Sequence, residues 1–139
     1  MRVFTRHATP ADARQMAVLA GLDVSADRIA DWMTEGGTAW FLMENDGGAL
    51  LGFQQIAPSR DLPDNACAIA TFLDQRSLPP GTAAALFDTT AEAARRLHYT
   101  WISADIDPSN TAARTYYQNR GFRLYSTQTD RILMRFDLD

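Results

Sequence analysis

Asp105-Ile106-Asp107-Pro108-Ser109-Asn110-Thr111-Ala112-Ala113-Arg114-Thr115-Tyr116-Tyr117-Gln118-Asn119-Arg120-Gly121-Phe122 joins the end of an extended run to a short capped helix and a Gly-Phe stop. An extended run ends at Pro108, after which Ser109 or Asn110 can cap a helix by accepting a hydrogen bond from an orphan N–H of its first turn. Ala113 and Tyr117 lie four apart and so share one face, where the small alanine leaves room beside the phenol. Gly121 supplies the left-handed residue that commonly stops a helix. Phe122 then starts the next strand.

Upstream, Leu78-Pro79-Pro80-Gly81-Thr82-Ala83 follows the short apolar run Ala66–Leu73 and opens a helix that reaches about Leu97. A helix N-terminus offers unsatisfied N–H groups and a partial positive charge, which suits a phosphate. Gly81 removes the Cβ that would block close approach. Pro79 and Pro80 cannot donate, so the donors would be Gly81, Thr82, Ala83 and Ala84. Arg76 is a nearby source of positive charge. Taken alone, Pro-Pro-Gly reads better as an ordinary helix start, and it is the downstream motif at the right distance that turns the reading toward a phosphate cradle.

Together these segments carry a resemblance. Asn110-x-x-Ala113-x-x-x-Tyr117-x-x-x-Gly121-Phe122 resembles the second acetyl-coenzyme A motif of the GNAT N-acetyltransferases. Leu78 to Ala83 matches the spacing of that family's Gln/Arg-x-x-Gly-x-Gly/Ala loop, with Leu78 where the family has a polar or basic residue. The resemblance implies one acetyltransferase-like domain over residues 1–139. Its fold would be α/β: a mixed, mostly antiparallel sheet with a central parallel strand pair, flanked by helices. It further implies that acetyl-coenzyme A binds through Leu73, Gly81, Thr82, Ala83, Ala84, Asn110 and Tyr117. Leu73 falls where the family's splayed strand offers backbone groups to the thioester, and an N–H there would stabilise the oxyanion formed under attack.

Tyr117 is the candidate catalytic residue. Acyl transfer from a thioester expels a thiolate whose parent thiol has a pKa of about 8.5, by analogy with cysteine. A phenol at the sulfur can protonate it as general acid. The competing reading is that Tyr117 only packs, with its hydroxyl satisfied at the edge of the core. Tyr116 sits where the family has an aliphatic residue and is read as core. Asn110 is either a cofactor contact or a plain cap.

The chain of 139 residues is of single-domain length, and its 46% hydrophobic and 22% charged residues are ordinary for a globular protein. A net charge of −4 and a pI near 5.0 argue against nucleic acid as the main partner. The single Cys67 cannot form an internal disulfide, so a reducing cytoplasm is the expected compartment. No apolar run approaches the ~20 residues of a membrane span, and no signal-peptide core opens the chain. Cys67 and two distant histidines, His7 and His98, show no metal-ligand spacing.

Elsewhere the chain reads as a strand over Arg2–Ala8, helices after Thr9-Pro10 and Ser25, and a hairpin of Thr38–Glu44 with Ala49–Ile56. Asn45-Asp46-Gly47-Gly48 forms the turn of that hairpin. A polar loop spans Ala57–Asn65. The helix after Gly81 turns Leu86, Ala93, Ala94 and Leu97 inward. Tyr99–Ile106 should be a strand parallel to Ala66–Leu73, and Leu124–Thr127 and Ile132–Leu138 close the chain. Glu44, Asp74, Asp105, His7 and His98 are candidates for a general base, but water can carry the amine's proton away, and none is assigned.

The expected reaction is direct transfer of an acetyl group to an amine of a small molecule or peptide. A homodimer is left open. The alternatives are a non-catalytic acyl-coenzyme A sensor of the same fold and a nucleotide-binding α/β domain. The latter does not account for the Asn110–Phe122 pattern.

Overall fold

A computed structural model describes residues 2–21, 24–74 and 78–138. The chain runs β1 (Val3–His7), a 3-10 turn (Pro10–Asp12), α1 (Ala13–Ala20), α2 (Ala26–Met33), β2 (Ala39–Asn45), β3 (Leu50–Ala57) and β4 (Ala66–Leu73). It continues through α3 (Thr82–Arg96), β5 (Trp101–Ile106), α4 (Thr111–Arg120), β6 (Arg123–Thr127) and β7 (Ile132–Asp137). The strands form one sheet in the order β1-β2-β3-β4-β5-β7-β6. Every pairing is antiparallel except that of β4 with β5. This is the mixed, mostly antiparallel sheet expected, with its parallel pair at the centre.

Local chemistry sets the element ends. The Thr9 N–H donates to Asp12 Oδ2 at 2.8 Å, which closes the first turn after Pro10. The same carboxylate takes two hydrogen bonds from Arg6, each 2.9 Å, while Arg6 Nε reaches Glu44 at 2.8 Å. The Arg6 guanidinium holds the Asp12 carboxyl below its ordinary range. In the β2–β3 hairpin, Asn45 Oδ1 accepts from the N–H groups of Gly47 and Ala49, both at 2.9 Å. An asparagine that mimics a backbone turn explains why this sequence reverses here.

Helices cover the sheet from both sides. Met16 and Ile29 pack on Trp40, Leu42 and Phe53, whereas Leu86 packs on Phe41 and Met43. Because β2 is covered on both faces, it is a continuous apolar run rather than an alternating one. Phe87, Tyr117 and Phe122 share a third cluster with Cys67, Ile69, Ile102, Ala104 and Met134, so α3 and α4 lie on the same face. Each fully buried aliphatic side chain contributes roughly 1.5–3 kcal/mol to this packing.

Two boundaries differ from expectation. Leu97 is 37% exposed, and the inward stripe of α3 is Leu86, Phe87, Thr90, Ala91 and Ala94. The helix ends at Arg96, and His98 adopts a left-handed φ of 68°. Leu97, the cap residue between them, borders an open cavity rather than the core. Tyr99 therefore belongs to the turn, and its hydroxyl donates to the Gly37 carbonyl at 2.6 Å.

The feature that positions the site is the parting of β4 and β5. They pair through Ala66↔Trp101, Cys67↔Ile102, Ala68↔Ser103 and Ile69↔Ala104. Beyond Ile69, β4 stays paired with β3 alone, out to Gly52↔Leu73, while β5 follows β7 to Ile106↔Ile132. A Cβ on Gly52 would lie 2.9 Å from a Leu73 methyl and 3.0 Å from the Phe72 carbonyl. Glycine at this position lets β3 hold the end of β4 so closely.

Candidate functional site

The backbone of β4 opens into the gap. Asp74 N–H donates to the Leu51 carbonyl at 2.8 Å. N–H directions alternate along an antiparallel strand, so the Leu73 N–H points away from β3. It faces the side that β5 has left. Thr71, two residues back, is oriented the same way.

At one end of this gap stands the start of α3. Gly81 is its N-cap, with φ 83° and ψ −14°. A Cβ there would meet no atom of the described residues within 4 Å, so they leave it open space. Thr82 N–H bonds the Pro79 carbonyl at 3.4 Å, and the Thr82 hydroxyl bonds it at 2.7 Å. The N–H groups of Gly81, Ala83 and Ala84 meet no acceptor among the described residues. Orphan donors at the positive end of a fifteen-residue helix fit a phosphate-bearing ligand. Arg76 lies outside the described residues.

At the other end stands α4. Asn110 caps it, its Oδ1 accepting the Ala113 N–H at 3.1 Å. Tyr117 is 5% exposed and packs on Phe122, with ring centroids 4.9 Å apart. Its hydroxyl donates to Thr71 Oγ1 at 2.8 Å. Burial pushes the phenol up to about 12, and the Thr71 bond offsets part of that rise.

Tyr116 packs its ring against the core, as expected, and its hydroxyl also reaches the cleft. Its hydroxyl donates to the Ala83 carbonyl at 2.8 Å and accepts from Gln54 Nε2 at 2.8 Å. Burial raises its pKa as well, against the opposing Gln54 bond. Gln54, 0% exposed, also donates to Thr71 Oγ1 at 3.2 Å, while its Oε1 has no partner among the described residues. Gln54 and Thr71 were not singled out from sequence, and Tyr116 was read only as core. A polar pair at matching positions of two adjacent apolar strands, Gln54 opposite Thr71, is the signal that could have found them.

Two adjoining cavities fill the gap. One of about 450 Å³ is lined by Leu73, Leu78, Ala83, Thr111, Tyr116 and Asn119, among others. The other, about 100 Å³, is lined by Thr71, Leu73, Asn110, Ala113, Tyr116 and Tyr117. Leu73 and Tyr116 border both. The expected residues Leu73, Ala83, Asn110 and Tyr117 thus line one cleft, with Gly81, Thr82 and Ala84 at the adjoining helix start.

No carboxylate or imidazole lines either cavity among the described residues. Glu44 is engaged by Arg6, Asp105 by Arg131 at 3.0 Å, and His7 stacks against Phe41. A larger cavity of about 590 Å³ lies on the far flank of α3, against His7 and Phe41, and shares no lining residue with the cleft. Among the described residues, no cluster of histidine, cysteine or carboxylates could hold a metal ion, and no helix is long and apolar enough to cross a membrane.

No family model and no curated protein sequence matches the chain. Solved structures do match. The yncA protein of Salmonella typhimurium, assigned as an acetyltransferase and solved with acetyl-CoA, is 16% identical with a TM-score of 0.85, over 100% of this chain and 95% of its own. A phosphinothricin acetyltransferase of the GNAT superfamily from Sinorhizobium meliloti, in complex with AcCoA, is 16% identical with a TM-score of 0.83, over 99% and 89%. The ribosomal-protein-alanine N-acetyltransferase of Brucella melitensis is 17% identical with a TM-score of 0.82, over 96% and 99%. The fold is therefore that of the GNAT acetyltransferases.

Proposed function

We propose that this protein is an acetyl-CoA-dependent N-acetyltransferase acting directly on an amine of a small molecule or peptide. The observation that carries the reading is the parting of β4 and β5, with the Leu73 N–H facing the gap between a helix start and a buried phenol. Acetyl-CoA supplies the activated acyl group as a thioester.

The chain's own residues divide the remaining work. Gly81, Ala83 and Ala84 present N–H groups to the pyrophosphate, and Thr82 turns its hydroxyl back to Pro79 to hold the loop. Leu73 N–H is a fixed donor for the oxyanion; such donors stabilise charge without reorganising as it develops. Asn110 keeps α4 in register through its cap. Tyr117, protonated up to about pH 12, holds the proton that the leaving sulfur needs.

A second reading, an acyl-CoA-binding module without turnover, is favoured by the absence of a carboxylate or imidazole in the described cleft. An acetyltransferase of this build depends on water to take the amine's proton. A thiol-release screen with acetyl-CoA against polyamines, amino acids, aminoglycosides and peptide N-termini separates the two. Release of coenzyme A with an acetylated amine supports the enzyme. Tight binding without release across the panel supports the module.

A further inference from the structure

We propose that Thr71 hands the proton to the departing sulfur and that Tyr117 acts through it; this rests on the acetyl-transfer reading above. A hydroxyl oxygen has two lone pairs and one proton to donate. Both lone pairs of Thr71 Oγ1 are occupied, one by Tyr117 at 2.8 Å and the other by Gln54 Nε2 at 3.2 Å. Its own proton has no acceptor among the described residues. Thr71 lines the 100 Å³ cavity beside Leu73, whose N–H opens on the same gap. The Tyr117 proton, by contrast, is already committed to Thr71. The hydroxyl with an undirected proton is the threonine.

The surroundings hold this arrangement still. A β-branched side chain has few χ1 choices, and Thr71 is gripped from both sides. Gln54 is fully buried, where an amide is costly unless bonded, and it ties Thr71 to Tyr116. Tyr116 in turn fastens on the Ala83 carbonyl in the first turn of α3. One chain of hydrogen bonds therefore runs from the helix start to the general acid.

The step balances. Thr71 gives its hydroxyl proton to sulfur as the C–S bond breaks and the amine N–C bond forms. The C–S electron pair stays on sulfur and becomes its S–H bond. Thr71 Oγ1 takes the Tyr117 proton in the same motion, so no alkoxide persists. Water returns to the phenolate the proton that the acylated amine loses.

Thr71→Val keeps the side-chain shape and removes the hydroxyl, Thr71→Ser restores it, and Tyr117→Phe removes the proton reserve. Thermal melting checks that each variant folds, and calorimetry measures its affinity for acetyl-CoA. Two further readouts follow: turnover, and the ionisation of the bound coenzyme A thiol by ultraviolet thiolate absorbance, which needs no acceptor. The expected result is near-native affinity in all three. Thr71→Val loses about 10²–10⁴-fold in turnover. Thr71→Ser recovers most of it, and Thr71→Val raises the bound thiol's pKa more than Tyr117→Phe does. The proposal is overturned if Thr71→Val turns over like the wild type while Tyr117→Phe does not, or if the thiol's ionisation ignores Thr71. Failure of the wild type to bind acetyl-CoA would instead remove the reading beneath it.

Discussion

Replacing Gly81 separates the free energy of folding from that of ligand binding. Its φ of 83° is left-handed, yet a Cβ at this position would meet nothing among the described residues within 4 Å. Gly81→Ala therefore adds no clash, and its cost is the backbone conformation itself, roughly 1–2 kcal/mol. For a chain of this length that lowers Tm by roughly 3–8 °C. Gly81→Glu carries the same backbone cost, so the difference between the two variants isolates the carboxylate. A unit charge about 4 Å from a phosphate charge is repelled by about 1 kcal/mol in bulk water and about 4 kcal/mol at an effective dielectric of about 20. Affinity for acetyl-CoA should thus fall by about 5- to 10³-fold beyond Gly81→Ala. Added salt should narrow the gap, because the site is open to solvent. Thermal unfolding and calorimetry on both variants read the two terms separately. Equal affinities for Gly81→Glu and Gly81→Ala at low salt would refute a pyrophosphate at this helix start.

Tyr117→Phe removes one hydrogen bond to Thr71 and keeps the ring contacts with Tyr116 and Phe122. Stability should fall by about 1 kcal/mol, and turnover by about 10²–10⁴-fold where chemistry limits the rate. Wild-type turnover under those conditions would make the phenol a packing residue. Asn110→Ala deletes the α4 cap at Ala113 N–H and should cost about 1 kcal/mol. An affinity for acetyl-CoA unchanged by calorimetry assigns Asn110 to capping alone, whereas a sharp drop adds a contact. The pH profile follows from burial. The Tyr117 phenol titrates at about 12 in the folded protein and near 10 when unfolded. Above pH about 10 the unfolded chain loses this proton first, so the stability it contributes is intact below about 10 and lost by about 12. Turnover should rise as the amine becomes neutral, with no falling limb from Tyr117 below pH about 11. A limb below 10 that disappears in Tyr117→Phe contradicts this.

The sequence made the scaffold readable where each residue acts on its own neighbours. Asn45 builds its turn through adjacent N–H groups, Asn110 caps the helix it begins, and Gly81 takes the positive φ that only its own backbone requires. The crossover helix between two strands made β4 and β5 parallel neighbours, whereas their parting and the place of Leu73 came from the resemblance to the GNAT family. What sequence hid depends on contacts across the fold. Gln54 and Tyr116 are 62 residues apart, and Tyr117 and Thr71 are 46 apart. No local pattern links them. Helical spacing puts Tyr116 and Tyr117 on neighbouring faces but cannot say that both hydroxyls converge on a cleft. Leu97 was misplaced because apolar periodicity runs on past Arg96, whereas the helix stops there and the side chain meets an open cavity instead of the core.

A crystal structure of the protein with acetyl-CoA would show where each part of the ligand sits. The pyrophosphate should lie on the N–H groups of Gly81, Ala83 and Ala84, the acyl carbonyl on the Leu73 N–H, and the sulfur beside Thr71 and Tyr117. A ligand seated in the cavity between α3 and His7, or one that leaves the gap between β4 and β5 closed, would contradict this placement.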